Sequence, residues 1–87
     1  MNQDLTPKAV DALRTQYVEA AAAHGRATHD GDSRVANEAW RVIVDTAAAL
    51  LRYGPRGEDA LRSLTEDGDT AVRVWAATET LFFDAPI

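Results

Sequence analysis

An all-α fold, a single small domain of four helices spanning residues 1–87, is predicted by three observations. Alanine, the best helix former, fills 17 of the 87 positions, and runs of β-branched residues are almost absent. Glycine and proline punctuate the chain at Thr6-Pro7, Gly31, Gly54-Pro55 and Gly68, dividing it into four segments. Along those segments apolar residues recur every three or four positions, which is the period of a helix.

The first helix is expected over about residues 7–29, with Thr6 as its N-cap and Pro7 at the first helical position. Val10, Leu13, Tyr17, Ala21, His24 and Thr28 form its apolar face, with Lys8, Thr15, Glu19 and Arg26 opposite. The stripe runs through Gly25 at a local cost of about 1 kcal/mol.

The second helix, about 33–53, is capped by Asp32 or Ser33 and stopped by Gly54. Its main stripe is Ala36, Ala39, Trp40, Ile43, Ala47 and Leu50. A second stripe of Val35, Val42, Ala49 and Tyr53 widens the apolar arc past half the circumference. So wide an arc asks for cover on both sides, which predicts that this helix lies in the middle of the fold and that Trp40 belongs to the core.

Pro55 opens a short third helix, about 56–64, with Glu58 and Asp59 favoured near its N-terminal dipole and Ala60, Leu61 and Leu64 on its apolar edge. Asp69 or Thr70 caps the fourth helix, about 70–82, leaving residues 83–87 as an irregular tail. This last helix is apolar almost all round. Ala71, Val74, Trp75, Thr78, Leu81 and Phe82 make one side, Val72 and Ala76 extend it, and Arg73 and Thr80 are nearly its only polar break. A terminal helix ordinarily carries a polar outer face, so either the tail with Phe83 and Ile87 or another chain is expected to cover it.

Composition excludes several classes of function. A hydrophobic fraction of 46% is that of a globular protein and not of a disordered one. The absence of cysteine excludes disulfides and thiolate zinc sites. A net charge of -5 argues against nucleic acid and anionic membranes as partners. No stretch reaches the ~20 apolar residues that span a bilayer, and Met1-Asn2-Gln3-Asp4 lacks the basic start of a secretion signal, so a cytoplasmic location is expected.

Residues 61–77 read Leu61-Arg-Ser-Leu64-Thr-Glu-Asp67-Gly-Asp69-Thr-Ala-Val72-Arg73-Val-Trp-Ala76-Ala77. Leucines closing a short helix, an aspartate-rich turn, then Val-Arg-x-x-Ala-Ala opening the next helix resemble a HEAT repeat over residues 61–81. The aspartates suit helix capping, the small residues permit close helix approach, and Arg73 can reach the acidic turn. Where that family usually has leucine, four residues after the first alanine, this chain has Thr80, with Leu81 following. Adding Tyr-Val-Glu-Ala-Ala (Tyr17–Ala21), Gly31-Asp32, Ala36-Asn37 and the Gly-Pro pair, residues 9–82 are similar to the bacterial domain of unknown function 2019 family. The resemblance implies an α-α superhelix of HEAT-like helix pairs, and it implies no reaction.

Sites for chemistry are scarce. His24 and His29, five residues apart, point ~140° away from each other on a helix and cannot share a metal from one face; His24 suits a partly buried, hydrogen-bonded role. Asp30-Gly31-Asp32 and Asp67-Gly68-Asp69 look like calcium loops, but the twelfth positions are Arg41 and Thr78 where a glutamate is needed. Neither Ser33 nor Ser63 sits in a nucleophile elbow, and the single lysine, Lys8, belongs to no phosphate loop. No enzyme, no cofactor and no metal are expected.

The expected function is therefore protein–protein interaction. The candidate partner-binding residues are Glu58, Asp59, Glu66, Asp67 and Asp69, together with Arg73, Trp75 and Phe83. One alternative is an immunity protein or antitoxin whose acidic groups face a basic toxin. Another is self-association, with the fourth helix forming a homodimer contact.

Overall fold

The computed structural model describes residues 5–84. Four helices follow in order: α1 Thr6–Asp30, α2 Ser33–Leu51, α3 Pro55–Leu64 and α4 Thr70–Asp84. No strand occurs among the described residues. Leu5 occupies the N-cap of α1, so Thr6, expected as the cap, is instead its first helical residue. At the other end Gly31 adopts the left-handed conformation (φ 73°), and the Gly31 and Asp32 N–H groups reach back to the Thr28 and Ala27 carbonyls. That is the glycine-stopped helix end that a Cβ would disfavour. The chain turns directly into α2, where the Asp32 carboxylate accepts from the Val35 N–H at 3.1 Å.

Helix α2 ends at Leu51, two residues earlier than expected, and Gly54 (φ 65°) supplies the reversal into α3. At the other terminus Phe83 and Asp84, expected in an irregular tail, continue α4; residues 85–87 of that tail lie outside the described residues.

The core is one cluster drawn from all four helices. Tyr17 and Ala21 of α1, Ile43 and Leu50 of α2, Leu61 and Leu64 of α3, and Val72 and Ala76 of α4 are at its centre. Helix α1 packs against each of the other three, whereas α2 packs on α1 and α3. The expectation of a central α2 is thus corrected: α1 and α3 are the helices that meet all the others, and α1 makes the more extensive contacts. The molecule is 21 Å in its shortest dimension, about two helix diameters, so each helix keeps a solvent side. On α2 Trp40 and Val44 at one edge of the buried face and Val42 at the other are all more than 40% exposed.

Trp40 is the second correction. It stands ~60° round the helix from Ile43, and Thr46 stands the same angle on the opposite side. The structure buries the Thr46 side and leaves Trp40 48% exposed. Thr46 tolerates burial because its hydroxyl donates to the Val42 carbonyl at 2.6 Å and lies 3.2 Å from that of Ile43. A threonine that satisfies itself locally therefore takes the place that apolarity alone assigns to the tryptophan.

Close helix contacts are made at two glycines. A methyl group on Gly25 of α1 would lie 2.7 Å from the Ala71 Cβ of α4. One on Gly57 of α3 would overlap the Leu50 carbonyl oxygen of α2. Gly25 leaves α1 a single helix from Thr6 to Asp30 and serves as the seat for α4.

Candidate protein-interaction surface

The α3–α4 connection organises itself through its aspartates. The Asp69 carboxylate accepts from the Ala71 and Val72 N–H groups at 2.9 and 3.2 Å, capping α4, and the Asp67 carboxylate accepts from the Asp69 N–H at 2.9 Å. Arg73 does reach back to this turn, but to neutral oxygens: it donates to the Asp67 carbonyl at 2.8 Å and to the Thr70 hydroxyl at 3.0 Å.

Glu58 and Asp59 belong to a different cluster, centred on Arg62. Its guanidinium lies 2.6 Å from the Asp59 carboxylate, 2.7 Å from that of Asp84 and 3.9 Å from that of Glu58. The same group sits 5.1 Å from the centre of the Phe83 ring, a cation–π contact. Hydrogen bonding to Arg62 holds the Asp84 carboxyl below its ordinary value. The cluster ties the end of α4 to α3.

The expected site residues are therefore not brought together. Glu58, Asp59 and Phe83 attend Arg62, Asp67 and Asp69 serve the turn, and Glu66 is exposed in it. Trp75 is half-buried against α1, its ring edge-on to His24 at 5.2 Å between centroids. His24 is also 3.5 Å from the Thr28 hydroxyl, at the outer limit of a hydrogen bond.

Helix α4 shows an inversion of the usual arrangement. Val72, Ala76, Glu79 and Phe83 follow one another at helical spacing on the side that meets α1 and α3. Glu79 is thereby placed beside Tyr17, and burial raises its carboxyl above the ordinary glutamate range. Tyr17 is fully buried, its hydroxyl has no hydrogen-bond partner, and burial together with the Glu79 charge pushes its pKa far up. The opposite side, Val74, Ala77, Thr78, Leu81 and Phe82, bears no charge. Val74, Leu81 and Phe82 are 59%, 68% and 80% exposed. The sequence of α4 shows its apolar character but not which residues face outward: the exposed ones are Val74, Leu81 and Phe82, whereas Trp75 and Phe83 pack against the core. Arg62 was also overlooked, although its spacing from Glu58 and Asp59 is the helical ion-pair spacing.

An open groove of about 610 Å³ lies between the end of α1 and the start of α4, lined by Gly25, Arg26, His29, Asp30, Thr70 and Ala71 among others. No group of three or more metal-ligating side chains converges among the described residues, and no helix there is long and apolar enough to cross a membrane. Comparison with family models, with curated proteins and with solved structures finds no match for this chain.

Proposed function

We propose that this protein is a non-enzymatic interaction module of HEAT-like type, in keeping with its resemblance to the domain of unknown function 2019 family, and that it binds a protein partner through the outer face of α4. The observation that supports this reading is the inversion of α4: its glutamate faces the core while an uncharged apolar stripe faces solvent. Burying side chains of that size against a partner releases roughly 1.5–3 kcal/mol each, enough to keep such a stripe in use.

The acidic alternative, neutralisation of a basic toxin, draws less support. Glu58 and Asp59 are drawn to Arg62, and Asp67 and Asp69 accept backbone hydrogen bonds, so much of the acidity is engaged internally.

Capture of partners from a lysate of the source cells, with the wild type and with Phe82→Asp, tests the reading. The expected result is a stoichiometric partner that survives high salt and is lost with Phe82→Asp. A partner held equally by Phe82→Asp and released by salt would refute the α4 site and move it to the carboxylates.

A further inference from the structure

Resting on the reading of α4 above, we infer that the occupant of its outer face is a second copy of this chain, packed antiparallel about a two-fold axis near Thr78. Three features of the face select a copy of itself as the partner.

The first is the order of side-chain sizes. Val74 and Leu81 stand at the two ends of the face and Ala77 and Thr78 at its middle. A reversed copy presents large residues at both ends and small ones between, so Val74 meets the other copy's Leu81 and Phe82 at each end. The small residues meet at the centre, where two helices must come closest.

The second is charge. Arg73 and Asp84 are eleven residues apart, ~16 Å along the axis and within ~20° in direction, so they lie on one rim of the face. Arg73 has no carboxylate within ion-pair distance among the described residues; it is held only by a carbonyl and a hydroxyl. Asp84 shares the single Arg62 guanidinium with Asp59 and Glu58, which leaves that end negative. Antiparallel pairing about Thr78 sets each Arg73 level with the other copy's Asp84. Parallel pairing would put the two rims on opposite sides of the seam and leave neither charge a partner.

The third is area. From the exposures of Val74, Leu81 and Phe82, with Ala77 and Thr78 beside them, the face offers roughly 500 Å² per copy, or roughly 1,000 Å² for the pair, where specific interfaces begin. The dimer is accordingly weak and concentration-dependent.

Sedimentation of the full chain between about 10 µM and 1 mM reads this directly. The weight-average mass of the wild type is expected to rise from 9.4 kDa toward twice that value, while Phe82→Asp stays monomeric with an unchanged helical spectrum. The chain has no cysteine, so single cysteines report proximity. Thr78→Cys is expected to form a covalent dimer on mild oxidation at least tenfold faster than Thr15→Cys, placed on the exposed side of α1. A mass fixed at 9.4 kDa, a mass climbing past two copies, or equal cross-linking at the two positions overturns the proposal. A monomeric wild type that still captures a Phe82-dependent protein overturns the second copy alone and leaves the α4 surface standing. One that captures nothing in a Phe82-dependent way overturns both.

Discussion

Replacing Gly57 with alanine tests the packing of α3 on α2 more severely than any truncation in the core. The new methyl would overlap the Leu50 carbonyl oxygen and lie 2.5 Å from the carbonyl carbon. Ordinary contact begins near 3.4 Å and the oxygen is the closer atom, so the helices must part by clearly more than about 1 Å, a gap that forfeits at least a quarter to a half of the dispersion attraction across it. The obstacle is backbone inside a hydrogen-bonded helix and cannot rotate away. Leu50, Leu61 and Leu64, all fully buried, lose contact as the helices separate. Overpacking costs about 1–3 kcal/mol, and the upper end applies here. Alanine's better helix propensity offsets at most about 1 kcal/mol. A net loss of about 2 kcal/mol lowers the melting temperature of a domain this size by roughly 8–16 °C. Circular dichroism melts of Gly57→Ala and Gly68→Ala make the comparison. A methyl on Gly68 meets nothing within 4 Å, and that variant is expected to melt at or slightly above the wild type. A Gly57→Ala protein that melted within 2 °C of wild type would show that Leu50 and Gly57 do not touch in solution.

Tyr17→Phe removes a buried hydroxyl without a partner and is expected to stabilise the protein by about 1 kcal/mol in urea titration; a loss of that size would mean that the hydroxyl has found a bond. Burial raises the Glu79 pKa above its unfolded value, so the native state holds the proton more tightly and stability falls as pH rises through and beyond the glutamate range. Glu79→Gln should therefore melt higher than wild type at pH 8 and draw level near pH 4, and an equal offset at both would refute the assignment. Asp84 behaves in the opposite sense: Arg62 lowers its pKa, so the stability it lends is present above the ordinary aspartate range and is lost as pH falls through its folded value. Arg62→Gln is expected to lower the melting temperature at neutral pH, by less in 1 M salt than in 50 mM.

The helical class and all four helices were legible because each is signalled locally, by Pro7, Gly31 with Asp32, Gly54-Pro55 and Asp69. The α1 stripe held from Val10 to Ala21. Near the end of α1 the structure buries Ala27, on the side that faces the start of α2, and leaves Thr28, assigned to that stripe, exposed. Periodicity says how wide an apolar arc is, not which part of it a neighbour covers. That is why α2 was placed in the middle and Trp40 in the core, and why no local signal marked Gly57. The carboxylates read as a candidate surface are real surface groups, but Arg62 engages those of Glu58 and Asp59, and backbone N–H groups engage those of Asp67 and Asp69, which decides how much of that charge is free.

With α1 packed on all three other helices, its amides have no cheap route to water. Helix α4 is seated on Gly25 and α3 and tied at its end by the solvent-exposed Arg62 cluster, so its last turn is expected to open before the core around Tyr17 and Ala21. Amide hydrogen exchange should consequently sort the chain into tiers. The Leu81–Asp84 amides would exchange through a sub-global opening at modest denaturant, whereas those around Tyr17 and Ala21 would exchange only when the whole molecule unfolds. The segment best suited to meeting a partner is then also the one that the domain can release without losing its fold.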